Sequence, residues 1–154
     1  MAENAPRSSV TLAPLVFLGA VVVGIVIKFF YPLTIWPSIW ISVTGVVPLL
    51  AGIWLFISAR TAFRRHRTPL LSWKQSVKLD QDGPYRFSRN PIYLSFALMY
   101  LGASFIVNSP LPLVVLIIML VRFDRHQIPR EERYLQERFG EEYKRYVTRV
   151  RRWI

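Results

Sequence analysis

Apolar positions along this chain fall in blocks, set apart by two basic stretches and two short connections that carry no charge. Leu12–Phe30 is the first block, close to the ~20 residues a helix needs to cross a bilayer. It is longer than a signal-peptide core and lacks a small-x-small cleavage pattern, so it reads as a retained span. Lys28 near its end can snorkel to the interface, and Gly19, Ala20 and Gly24 offer a small face for helix packing. Tyr31–Ser38 is a short link with two prolines. Trp36 and Trp40 suit a membrane–water boundary. Ile39–Ile57 is the second block, and Pro48 inside it predicts a kink.

Ser58–Asn90 is polar and reads as one long loop, a length more often functional than idle. Ile92–Val107 and Leu111–Val121 are the third and fourth apolar runs. Between them Ser109 suits a helix cap and Pro110 a first helical position. Entered from residue 91 and continued to residue 128, the two runs predict a tight helical hairpin, with a re-entrant pair as the alternative. In the tail, 129–154, the period changes. Leu135, Phe139, Tyr143, Tyr146 and Val150 recur at helical steps, and Gly140 bends or interrupts that helix. The expected architecture is all-α: a single polytopic membrane domain over 1–154. It has about four transmembrane helices (12–30, 39–57, 91–107, 110–128), a cytoplasmic loop 58–90 and a cytoplasmic amphipathic C-terminal helix.

Charge adds an orientation. The net charge is +11 in 154 residues; the central loop holds eight Lys/Arg, the region after Val121 ten, and the short connections none. The positive-inside rule then puts the loop and both termini on the cytoplasmic side of an integral membrane protein. Because the charge is interleaved with apolar spans, anionic lipid is the expected partner rather than nucleic acid. Arg145, Arg149, Arg151 and Arg152 read as headgroup contacts and Trp153 as an interface anchor. The absence of cysteine removes thiolate chemistry. His66 and His126, far apart, support no metal site, and His66 reads as a solvated loop residue.

Candidate chemistry gathers at Gly83–Tyr93. Arg86, Arg89 and Asn90 offer hydrogen bonds suited to a carboxylate or phosphate. Tyr85, Phe87 and Tyr93 offer π faces for a flat ring or a cation. Glu131 and Glu132 lie at or beside the apolar stripe of the tail. Carboxylates there are expensive unless paired. An ion pair with a loop arginine, a favourable place at the helix start and a ligand role all answer that cost. The seven glycines never form G-x-G, which argues against a Rossmann-type site. The side-chain inventory matches S-adenosylmethionine, which combines carboxylate, ammonium, ribose, adenine and sulfonium.

The order Gly83-Pro84-Tyr85-x-x-x-Arg89-Asn90-Pro91-x-Tyr93, then Glu131-Glu132, Leu135, Phe139-Gly140, Tyr143 and Tyr146, resembles the isoprenylcysteine carboxyl methyltransferase family and, more loosely, phospholipid methyltransferases. The similarity covers about half the chain, Thr68–Tyr146. It implies an integral-membrane, S-adenosylmethionine-dependent methyltransferase. Its cofactor would lie in a cytoplasmic pocket closed by the C-terminal helix, and a lipophilic or small acceptor would enter from the bilayer. By resemblance, Tyr85, Arg89, Asn90, Pro91, Tyr93, Glu131 and Glu132 bind the cofactor, and Arg89, Asn90 and Glu132 form the catalytic set. The family's histidine is Asn90 here, which cannot titrate near neutral pH, so a mechanism with an imidazole base is not expected. Four spans make a small vestibule, which a homo-oligomer would enlarge. Two other readings compete: a non-enzymatic basic module that binds anionic lipid, and a sterol-reductase-like nicotinamide enzyme.

Overall fold

A computed structural model describes residues 13–35, 39–65 and 79–154, and their regular structure is entirely helical. The helices are α1 (Ala13–Phe30), α2 (Ile39–Thr44), α3 (Val46–Arg65), α4 (Pro91–Val107), α5 (Pro110–Arg122), α6 (Ile128–Phe139) and α7 (Glu141–Arg149). A 3-10 turn, Gly83–Arg86, precedes α4, and a π turn, Phe123–Gln127, joins α5 to α6. Helix α4 touches α1, α2, α3 and α5.

Glycines let the backbones approach. A Cβ on Gly45 would stand 2.7 Å from the Gly102 carbonyl oxygen, and one on Gly52 2.7 Å from the Ser95 carbonyl oxygen. On Gly102 it would stand 2.6 Å from both the Gly45 carbonyl oxygen and the Leu49 nitrogen. Apolar helices in lipid gain nothing from hydrophobic attraction to each other, so such close contact is what holds them together. The small face expected on α1 is half used: Gly24 abuts Pro112, whereas a Cβ on Gly19 would meet nothing within 4 Å among the described residues.

The expected kink is displaced. Helix breaks at Gly45, between α2 and α3, rather than at Pro48. Proline has no N–H, and its ring crowds the carbonyl four residues earlier. For Pro48 that carbonyl belongs to Thr44, the last residue of α2. The helix also runs past Ile57 to Arg65, so the loop starts later than the polar composition suggests. Ala59 and Ala62 are buried there against the cluster around Tyr85, Ile92 and Phe96. The loop residues 66–78, with His66, and Trp36 lie outside the described residues.

Among the described residues one helical stretch, Ile39–Ala62, is long and apolar enough to cross a membrane; Val21–Phe30 and Pro91–Val107 are apolar but shorter. The difference from about four full spans has a physical source. Asn108, at φ 51°, stops α4 after 17 residues, and α5 has 13 residues before the charged π turn. Val47, Trp54, Ile117 and Ile118 remain exposed on α3 and α5.

The two short connections meet. The Lys28 ammonium donates to the Val107 carbonyl at the end of α4, and the Ile35 N–H donates to Asn108 Oδ1 at 3.0 Å. The lysine thus caps a helix C-terminus, where unpaired carbonyls favour a cation. Ser109 precedes α5 in extended conformation, but its hydroxyl makes no capping bond.

At the far end of the chain, the apolar stripe of α6 and α7 is not free to lie on a membrane. Tyr143, Tyr146 and Val150 are buried with Leu79, and Leu135 and Phe139 pack against them. Gly140 divides the stripe at φ 51°, ψ −120°, a conformation other residues rarely adopt.

Candidate functional site

Gly83, at φ 57°, turns the chain out of the loop, and Pro84 fixes the next step of the 3-10 turn. Tyr85 points into the core, and its carbonyl accepts the Tyr146 hydroxyl at 2.7 Å. Pro91 is fully buried at the first turn of α4, where its missing N–H costs nothing. Tyr85 and Pro91 therefore frame the site from inside the protein, and Tyr85 offers no open ring face to a ligand.

The remaining motif residues converge with α6. Arg89 Nη1 lies 2.9 Å from Glu132 Oε1. The Tyr93 hydroxyl and the Gln127 amide both donate to Glu131 Oε1 at 2.7 Å. The π turn brings Gln127 and Asp124 into this group; such wide turns recur at functional sites. Burial pushes the Glu131 carboxyl up to about 7, against the opposing effect of its two donors. Burial likewise raises the Tyr143 hydroxyl, with Glu132 adding to the rise and the Arg89 guanidinium opposing it.

A strap after α7, residues 151–154, returns over the motif. The Arg89 N–H donates to the Arg151 carbonyl at 3.0 Å, and the Asn90 amide donates to the Arg152 carbonyl at 3.1 Å. Arg152 reaches Glu132 Oε2 at 2.7 Å and Asp124 Oδ1 at 3.2 Å. The Trp153 indole N–H donates to Asp124 Oδ1 at 2.9 Å. These contacts correct two expectations. Arg152 is a member of the site, not a headgroup contact, and Trp153 is held by a carboxylate. The ion pair expected for one of the two glutamates falls on Glu132 and engages two arginines.

Arg89, Asn90, Tyr93, Glu131 and Glu132 stand in one region, joined by Arg152, Asp124, Gln127 and Trp153, whereas Arg86 and Phe87 stay exposed. Asp124 had a visible signal: it is a lone carboxylate in the basic run Arg122–Arg125. Trp153 also had one, as an aromatic placed just beyond the end of the apolar stripe.

Two buried atoms bear on what this region can hold. Arg89 Nε and Glu131 Oε2 have no hydrogen-bond partner among the described residues. A buried guanidinium N–H and a buried carboxylate oxygen each carry a desolvation cost until something pairs with them. One is a donor for an anionic group and the other an acceptor for an ammonium or hydroxyl group. Together they suit a ligand that carries both an anionic group and an ammonium or hydroxyl group. Among the described residues no group of three or more His, Asp or Glu stands together to hold a metal ion.

Comparison with known proteins follows the same lines. The family model described as phospholipid methyltransferase matches residues 40–142. The chain belongs to the phospholipid methyltransferase family. Protein-S-isoprenylcysteine O-methyltransferase B of Arabidopsis thaliana is 30% identical over 113 residues, covering 72% of this chain and 57% of that protein. Protein-S-isoprenylcysteine O-methyltransferase of Saccharomyces cerevisiae is 39% identical over 72 residues, covering 47% of this chain and 30% of that protein. An uncharacterized protein of Haemophilus influenzae is 40% identical over 63 residues, covering 41% of this chain and all of that protein. The chain thus spans little more than half the length of the plant relative it matches. No solved structure matches it. Within this methyltransferase family, the matched region contains Gly83–Tyr93 and both glutamates.

Proposed function

We propose that this chain is an integral-membrane methyltransferase that binds S-adenosylmethionine beside Arg89, Glu131 and Glu132 and acts on a lipophilic or small acceptor. The observation that carries the reading is the convergence of an arginine and two carboxylates from distant segments, each segment leaving a buried polar atom unpaired. Family membership and the names of the relatives support the reaction class.

When bound, S-adenosylmethionine supplies a methyl group on a sulfonium, a transfer that needs alignment and dryness more than acid–base help. The residues here suit that demand. Arg89 orients a carboxylate through its fork of donors. Glu131 accepts from an ammonium or a hydroxyl, and Tyr93 and Gln127 fix its carboxyl plane. Asn90 positions the strap through the Arg152 carbonyl and need not exchange a proton. Tyr143, Tyr146 and Val150 keep water from the back of the site.

Four crossings, by α1, by α2 with α3, by α4 and by α5, would put both short connections at one face. The contacts of Lys28 and Ile35 with the α4–α5 turn support that arrangement. The site and the basic segments then lie at the opposite, cytoplasmic face.

Binding of S-adenosylhomocysteine to the detergent-solubilised protein, followed by calorimetry, tests the proposal. Wild type and Arg145→Ala should bind, since Arg145 is exposed away from the site, and Arg89→Ala should not. Equal binding by Arg89→Ala, or none by wild type, overturns the assignment.

A further inference from the structure

Two apolar clefts flank the C-terminal strap, and both count Leu94 and Trp153 among their walls. The first, about 390 Å³, opens between Trp54 and Leu55 of α3 and the Gly83–Phe87 turn, with Arg86 at its rim. The second, about 500 Å³, runs along Leu120 and Val121 of α5 toward Asp124 and Arg125. Neither cleft has more than a few polar groups on its walls. Trp54 and Val121, one from each cleft, are exposed on apolar helices. An aqueous solute gains little in such clefts, whereas their apolar walls suit a hydrocarbon chain.

The indole between them is not loosely placed. Its N–H is bonded to Asp124 Oδ1, and the same oxygen is bonded to Arg152. Trp153 is therefore latched where it lines both clefts.

We propose that the two clefts form one groove for the hydrocarbon tail of the acceptor, divided by Trp153, which thereby sets how long a tail the protein accepts. The occupant is an amphiphile with a single apolar chain and an anionic head. Arg86 at the rim of the first cleft supplies the complementary charge, and the tail runs inward from it to the indole. This rests on the methyltransferase reading for its choice of acceptor.

The test uses octyl and hexadecyl phosphates carrying a terminal diazirine, presented to the detergent-solubilised full chain at equal micellar fractions. Crosslinked peptides are mapped by mass spectrometry. In the wild type both probes should label the Trp54–Leu55 side, and the longer chain should gain nothing. In Trp153→Ala the label of the hexadecyl probe should shift to Leu120–Val121. Trp153→Phe keeps a ring in the wall and should retain the wild-type labelling. If hexadecyl phosphate already labels Leu120–Val121 in the wild type, or if Trp153→Ala leaves its labelling unmoved, the proposal is overturned. S-adenosylhomocysteine binding on the same samples reports the methyltransferase reading separately. Its absence alongside the shifted label would sink that reading and leave the groove standing.

Discussion

Replacing Glu132 by glutamine isolates the charge at the centre of the site. Glutamine keeps the shape and one acceptor oxygen but removes the anion that two guanidiniums share. Glu132 meets Arg89 at 2.9 Å and Arg152 at 2.7 Å. The Glu132 side chain is 19% exposed, that of Arg89 13% and that of Arg152 32%. Removing one partner of a buried pair costs about 3–5 kcal/mol because the other charge stays buried. The partly exposed Arg152 is screened by water, which places the expected cost near the lower end, about 3 kcal/mol. For a domain of this size that corresponds to a melting temperature lower by roughly 6–12 °C. Intrinsic fluorescence during heating in detergent measures it. The double variant Glu132→Gln/Arg152→Gln relieves the repulsion and should be less destabilised than the sum of the single variants, by about 1–2 kcal/mol. A Glu132→Gln protein that melts within about a degree of wild type, or strict additivity of the pair, would refute the argument that this carboxylate is held by both arginines.

Three further outcomes follow from other parts of the molecule. Glu131 titrates near 7 when folded and near 4.5 when unfolded, so its stabilising contribution is whole below 4.5 and is lost as pH rises through 7. Melting followed from pH 4 to pH 9 should show that fall, on the order of 3 kcal/mol, and Glu131→Gln should flatten it. Gly102→Ala pushes a methyl onto the Gly45 carbonyl and the Leu49 nitrogen of α3 and should cost about 1–3 kcal/mol or more in chemical denaturation, whereas Gly19→Ala, whose methyl meets no described atom within 4 Å, should cost nothing and add up to about 1 kcal/mol of helix propensity. Tyr146→Phe removes the buried hydrogen bond to the Tyr85 carbonyl and should cost about 0.5–1.5 kcal/mol, read as a lower denaturation midpoint with an unchanged slope.

The periodic features were the legible ones. The αL turn at Asn108 sits between two apolar runs that announce it, and the stripe from Leu135 to Val150 follows from 3.6-residue spacing. The two glutamates were also legible, because carboxylates beside an apolar stripe demand a partner. What stayed hidden depends on tertiary return. Nothing local tells that Arg152 bends back to Glu132 while Arg149, also basic, stays exposed. Residues 58–65 look polar enough for a loop, yet Ala59 and Ala62 meet a packed surface that only the folded chain supplies. Pro48 marks a disturbance in its helix, but the proline ring exerts its effect one turn earlier, where a glycine was free to yield.

The π turn at Phe123–Gln127 works as a phase shifter in an otherwise continuous rod from Pro110 to Phe139. Successive residues of an α-helix are separated by about 100° around its axis. One residue fewer in that turn would rotate everything beyond it by about that angle relative to α5. Glu131 would swing away from Tyr93, and Glu132 away from Arg89, with no change in the chemistry of any side chain. The spacing between α5 and the glutamate pair is therefore fixed along the rod, where a count of residues is also an angle.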